Sequence, residues 1–125
     1  MDIQHKILVV EDEPMDRLAI VKMMEKKFLS EHISNAENGK VALEFVKKNN
    51  LDAIFTDIRM PEMDGIEFIK EVRKFNTDVT IVVISAFESR LFNMNLNEYN
   101  IKTWILKPIT MRCSGFITLD IIWKK

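Results

Sequence analysis

Four short apolar runs, each followed at once by a polar residue, constrain this chain more than any other feature. They are Lys6-Ile-Leu-Val-Val10, Leu51 to Thr56, Val79-Thr-Ile-Val-Val-Ile84 and Thr103-Trp-Ile-Leu106. The residues that follow are Glu11-Asp12, Asp57, Ser85-Ala86 and Lys107. Runs this short, bounded by turn residues and rich in β-branched side chains, read as buried strands rather than buried helices. A fifth run, His32-Ile-Ser-Asn-Ala36, is more polar and fits an edge strand.

Helical patterns fill the spaces between the strands. The first runs from Pro14 to Leu29, with Leu18, Val21, Met24 and Phe28 at three- and four-residue steps as its inward stripe. Pro14 suits a first helical turn. The second follows Asn38-Gly39, ends near Lys48 and buries Val41, Ala42, Phe45 and Val46. The third follows the Pro61-to-Gly65 turn and presents Ile66, Ile69 and Val72. A fourth, from Glu88 to Asn100, is weakened by Asn93, Asn95, Asn97 and Asn100, and is expected to be short. The tail from Ile109 to Lys125 is expected as a fifth helix burying Phe116, Leu119, Ile122 and Trp123.

Strands alternating with helices give a parallel sheet covered on both faces. Right-handed crossovers prune the topologies, and the flavodoxin-like order 2-1-3-4-5 is the simplest that remains. The expectation is an α/β, doubly wound (βα)5 fold. The 125 residues suit one domain, 1–125, with 109–125 as its atypical part. A formal charge of −1 gives no global pull toward nucleic acid or membrane. The single Cys113 precludes an internal disulfide, no apolar run is long enough to span a bilayer, and the N-terminus lacks a signal-peptide pattern. A cytoplasmic protein is expected.

In the 2-1-3-4-5 order, Glu11, Asp12, Asp57, Ser85 and Lys107 meet at the carboxyl edge of the sheet. Three carboxylates there repel one another unless a cation joins them. Mg²⁺ meets that need, since it binds through one or two carboxylates together with waters and phosphoryl oxygens. Lys107 supplies a point charge and Ser85 a hydroxyl donor for a phosphoryl group. Asp57 can then act as a carboxylate nucleophile toward phosphorus. Taken singly, each of these residues is also explained as a turn former, a cap or a solvated charge; the set is what points to phosphoryl chemistry. His5 and His32 are too scattered for a metal site.

The motifs Ile7-Leu-Val-Val-Glu-Asp-Glu13, Thr56-Asp57-Ile58, Met60-Pro-Glu-Met-Asp-Gly65, Ser85-Ala86 and Lys107-Pro108 resemble the receiver domain of two-component response regulators, over about Lys6 to Pro108. The resemblance implies that Asp57 is the phosphoacceptor, charged by a histidine kinase or phosphotransfer protein. It implies Asp12 as a direct Mg²⁺ ligand, Glu11 as its partner, and the Arg59 backbone carbonyl as a further ligand. Ser85 and Lys107 would hold phosphoryl oxygens. Trp104 stands where the family carries a Tyr or Phe switch residue, but it is larger and lacks a phenolic hydroxyl. Lys107-Pro108 falls where the family often has a cis bond. Arg59 and Phe87 fall where the family borders the path of hydrolytic water, and the bulk of Phe87 is expected to slow dephosphorylation. The output would be a protein contact or a separate output domain, and the apolar tail raises a homodimer as a further partner. Two rivals stay open: a small Mg²⁺-dependent phosphohydrolase, disfavoured because Arg59 replaces the acid expected there, and a pseudo-receiver scaffold.

Overall fold

A computed structural model of the chain describes residues 5–26, 28, 30–89 and 96–107. Its strands are β1 (Ile7–Val10), β2 (Ile33–Ala36), β3 (Ala53–Thr56), β4 (Thr80–Ser85) and β5 (Ile101–Leu106). Its helices are α1 (Pro14–Met24), α2 (Gly39–Lys48) and α3 (Gly65–Arg73), with a short 3-10 turn at Ser30–His32. The five strands form one parallel sheet in the order β2-β1-β3-β4-β5. The expected flavodoxin-like (βα)5 sheet is therefore the observed one.

Alternation along the strands divides the core between the two faces of the sheet. Leu8, Val10, Ile54, Ile81 and Val83 point to the side covered by α2 and α3, where Ala42, Leu43, Val46, Phe68, Ile69 and Val72 meet them. Ile7, Val9, Phe55, Val82 and Ile84 point to the other side, against Ile20, Met24 and Phe28. Each fully buried aliphatic or aromatic side chain contributes roughly 1.5–3 kcal/mol. β2 is half-buried along most of its length, as an edge strand should be.

Each helix begins on a side-chain cap. Glu13 accepts the N–H of Met15 at 2.8 Å, Asn38 that of Val41 at 2.8 Å, and Asp64 that of Glu67 at 2.8 Å. Each bond satisfies a donor that has no partner within its helix.

Several sequence expectations need correction. α1 stops at Met24, not Leu29, and Leu18 is exposed, with Ile20 taking its place in the core. α2 buries Leu43 and exposes Val41, and Phe45 is only partly buried. α3 buries Phe68, with Ile66 half-buried at the edge of the core. In α2 apolar residues occur in runs, so the pattern alone leaves a rotational ambiguity of one residue. Within the span expected for a fourth helix, residues 96–100 form turns and residues 90–95 lie outside the described residues. The tail 109–125, Pro108, and the dimer expectation that rests on the tail also lie outside them.

Candidate functional site

The carboxyl ends of β1 and β3 lie side by side, with Val10 in register with Thr56. The residue after each strand is an acid. Glu11 continues the β1 ladder by donating its N–H to Ala36 O at 3.0 Å, and Asp57 donates to Val10 O at 3.0 Å. Both acids are thereby fixed by backbone bonds before their side chains meet anything. Both are buried, Glu11 completely.

The loop after Asp57 folds tightly back on it. Ile58 N–H donates to Asp57 Oδ1 at 2.6 Å, and Gly65 N–H donates to Ile58 O at 2.7 Å. A Cβ at Gly65 would lie 2.1 Å from Asp57 O and 2.7 Å from Ile58 Cα, so only glycine permits this approach. Pro61 and Glu62 make the intervening turn, and Glu62 adopts φ 67, a left-handed conformation unfavourable for a residue with a side chain.

Glu11, Asp12 and Asp57 each present a carboxylate oxygen to one small volume, with these atoms all within 4.8 Å of one another. Lys107 reaches the same volume from the end of β5, where its N–H donates to Ser85 O at 2.8 Å. Its Nζ lies 2.6 Å from Glu11 Oε1, 2.9 Å from Asp57 Oδ2 and 3.0 Å from Asp16 Oδ2. Burial pushes the Glu11 carboxyl up, the hydrogen bond from Lys107 pulls it down and the charge on Asp57 pushes it up again, leaving it at about 7. Burial lowers the Lys107 ammonium, but hydrogen bonds to Glu11, Asp57 and Asp16 outweigh that and hold it above the ordinary lysine range. The site thus gathers four acids around one ammonium. Burial, the largest of these effects, together with the charge on Asp57 holds the Glu11 carboxyl up against the pull of Lys107. The cluster is capable of coordinating a divalent metal ion.

Ser85 is buried at the end of β4, and its Oγ accepts the N–H of Phe87 at 3.1 Å. Phe87 in turn lies beneath the Arg59 guanidinium, 4.7 Å from the ring centroid, and its carbonyl accepts Trp104 Nε1–H at 2.8 Å. Trp104 is half-buried on β5, in register with Val83. The structure thus brings Glu11, Asp12, Asp57 and Lys107 into one cluster. Ser85, Arg59 and Trp104 are joined to one another through Phe87 at its border.

Two participants escaped the sequence reading. Asp16 sits in the first turn of α1, and its part in the site comes from Lys107 far along the chain, so no local pattern marked it. Thr56 is fully buried, and its hydroxyl donates to Asp57 O at 2.8 Å; nothing in the sequence separated it from an ordinary strand threonine.

Residues 7–113 match the family model described as "Response regulator receiver domain". The chain is 34% identical to the chemotaxis protein CheY of Bacillus subtilis (strain 168) over 104 residues, covering 83% of this chain and 86% of that protein. It is 31% identical to the response regulator receiver protein CpdR of Brucella abortus (strain 2308), covering 86% and 88% of the two chains. Several longer relatives are matched over less than half their length, among them a probable transcriptional regulator of Cyanidium caldarium, of which 43% is covered. Among solved structures, the response regulator TrrA of Thermotoga maritima in complex with Mg²⁺ and BeF aligns with a TM-score of 0.73 and 29% identity over 90% of this chain and 96% of that one. With the 2-1-3-4-5 sheet and the acidic cluster at its carboxyl edge, these likenesses establish that the chain belongs to the response-regulator receiver family of two-component signalling.

Proposed function

We propose that Asp57 is the phosphoacceptor of a single receiver domain spanning this chain, and that it takes its phosphoryl group from a phosphohistidine on a kinase or phosphotransfer protein. The observation that carries this reading is the Lys107 ammonium, bonded at once to Asp57 Oδ2 and Glu11 Oε1. An oxygen of Asp57 attacks phosphorus, a P–O bond forms, and the P–N bond of the donor breaks with its electron pair returning to the imidazole. Lys107 offsets charge on the transferring group, and Ser85 donates its hydroxyl to another phosphoryl oxygen. Receiver domains are signalling modules rather than classical enzymes, and the acyl phosphate here is later lost to water.

The metal the site would take is Mg²⁺, which Asp12, Asp57 and the Arg59 carbonyl would hold, with Glu11 alongside. When bound it supplies positive charge that neutralises the carboxylates and the phosphoryl oxygens. TrrA, solved with Mg²⁺ and BeF, supports that choice by likeness.

The donor protein is proposed to dock beside α1. Met15 and Leu18 are 72% and 49% exposed there, next to a shallow cavity of about 260 Å³ lined by Pro14, Arg17, Leu18, Val21 and Asn35. The switch is proposed to run from Ser85 to Trp104. A phosphoryl oxygen that recruits the Ser85 hydroxyl shifts the turn in which Ser85 Oγ holds Phe87 N–H, and Phe87 O holds the Trp104 indole. Modification thereby reaches the β5 edge of the sheet, where a downstream protein or output domain can read it. The cytoplasm is the proposed compartment; among the described residues no helix is long and apolar enough to cross a membrane.

The test is incubation with acetyl phosphate and Mg²⁺, followed by intact-mass measurement. The expected result is one phosphoryl group per wild-type chain and none on Asp57→Asn. Rapid multiple turnover would establish the hydrolase instead, and an unmodified wild type would establish the scaffold.

A further inference from the structure

An ammonium group has three N–H bonds. On Lys107 all three are matched by carboxylates, one each from Glu11, Asp57 and Asp16. A phosphoryl group on Asp57 brings new oxygens to the same ammonium, so one existing acceptor must give way. The three acceptors are not equivalent. The Glu11 side chain is 1% exposed, and its bond to Lys107 is shielded from competing water. Asp57 is the reacting group itself. The Asp16 side chain is 48% exposed, and water replaces its lost partner at little cost.

Asp16 also approaches from a different part of the fold. Glu11, Asp57 and Lys107 follow directly on strand ends, whereas Asp16 projects from the first turn of α1. A side chain on that helix can turn away without disturbing the sheet edge that fixes the other two acids.

We propose that Asp16 is a positioning residue that holds the third donor of Lys107 in the unmodified protein and yields it to the phosphoryl group. The inference rests on the reading of Asp57 as phosphoacceptor. Asp16 then stabilises the unmodified state alone. It sets how strongly the site favours remaining empty, and removing it shifts the balance toward the phosphoryl-bearing state. An exposed ion pair of this kind is expected to change affinity by about two- to five-fold.

The experiment is calorimetric titration of the full chain with beryllofluoride in saturating Mg²⁺, for wild type, Asp16→Ala, Asp16→Asn, Asp16→Glu and Asp57→Asn. Asp16→Ala should bind about two- to five-fold more tightly than wild type. Asp16→Asn should tighten less, because its amide oxygen still accepts from Lys107. Asp16→Glu should return to the wild-type affinity. Equal tightening by alanine and asparagine would assign the effect to charge alone and overturn the exchange of donors. Unchanged or weaker binding in Asp16→Ala, or failure of glutamate to restore wild-type affinity, would also overturn it. If wild type and Asp57→Asn bind alike, or neither binds, the phosphoacceptor reading fails. Asp57-dependent binding indifferent to Asp16 defeats this inference only.

Discussion

The two faces of the sheet are covered in different ways. On one, α2 and α3 press Ala42, Leu43, Val46, Phe68, Ile69 and Val72 against the strands and turn mostly charged residues outward, with Val41 of α2 as an exposed exception. On the other, α1 buries only Ile20 and Met24 within its length and leaves Met15 and Leu18 in the open. The first arrangement is what stability alone would produce. The second leaves apolar surface exposed on α1, the helix beside which a donor protein is proposed to dock. An apolar residue on a helix can therefore serve the fold or the encounter, and its position relative to the site decides which.

The comparison can be broken by substitutions on either side. The largest effect is expected at Gly65, where α3 meets the acceptor loop. Gly65→Ala forces a methyl group into the Asp57 and Ile58 backbone and should cost more than about 4 kcal/mol in denaturant unfolding. Phe68→Ala, on the closed face, should cost about 3–5 kcal/mol in the same assay. Leu18→Asp, on the open face, should change stability by no more than about 0.5 kcal/mol. It should slow phosphotransfer from a protein donor while leaving acetyl phosphate labelling intact. A loss of both reactions would show that α1 supports the site instead of receiving the donor.

A smaller effect separates the charged rim from both apolar faces. Asp12→Asn removes one like charge from the acidic cluster and should raise metal-free stability by about 0.5–1 kcal/mol. The burial of Glu11 sets a pH dependence. The Glu11 carboxyl is raised from 4.5 to about 7 in the folded chain, so the fold binds the extra proton between those values. Its contribution is fully present below pH 4.5 and is lost as pH rises through about 7. Melting temperature without metal should therefore fall between pH 5 and pH 8, and added Mg²⁺ should help most at the higher pH. A melting temperature that rises over that interval would contradict the assigned burial of Glu11.

The sheet was legible because its strands are short apolar runs closed by polar residues, a pattern that admits few topologies. Asp57, Glu11, Asp12 and Lys107 were legible because each stands within the first two residues after such a run. Helix faces were less so. In α1, Leu18, Ile20 and Val21 are all apolar, and periodicity alone could not decide that Ile20 faces inward. Asp16 stayed hidden for a different reason. Its importance lies in a contact with Lys107, 91 residues away, and no local pattern encodes a contact of that range. The Trp104 indole bond to the Phe87 carbonyl is likewise a product of tertiary structure.

The same sequence separations bear on how the molecule comes into being. Glu11 and Lys107 are 96 residues apart, yet one ammonium closes the cluster. As the chain leaves the ribosome, β1 and β3 can pair and bring Glu11, Asp12 and Asp57 together before residue 107 has been made. At that stage the acids stand without their lysine, and their repulsion opposes docking of the two strands. Closing so long a loop is an entropically slow step. The acceptor site is thus a late product of folding, completed only when β5 takes its place at the edge of the sheet. In a partly synthesised chain the acids of the cluster stand without Lys107, which follows them by at least 50 residues.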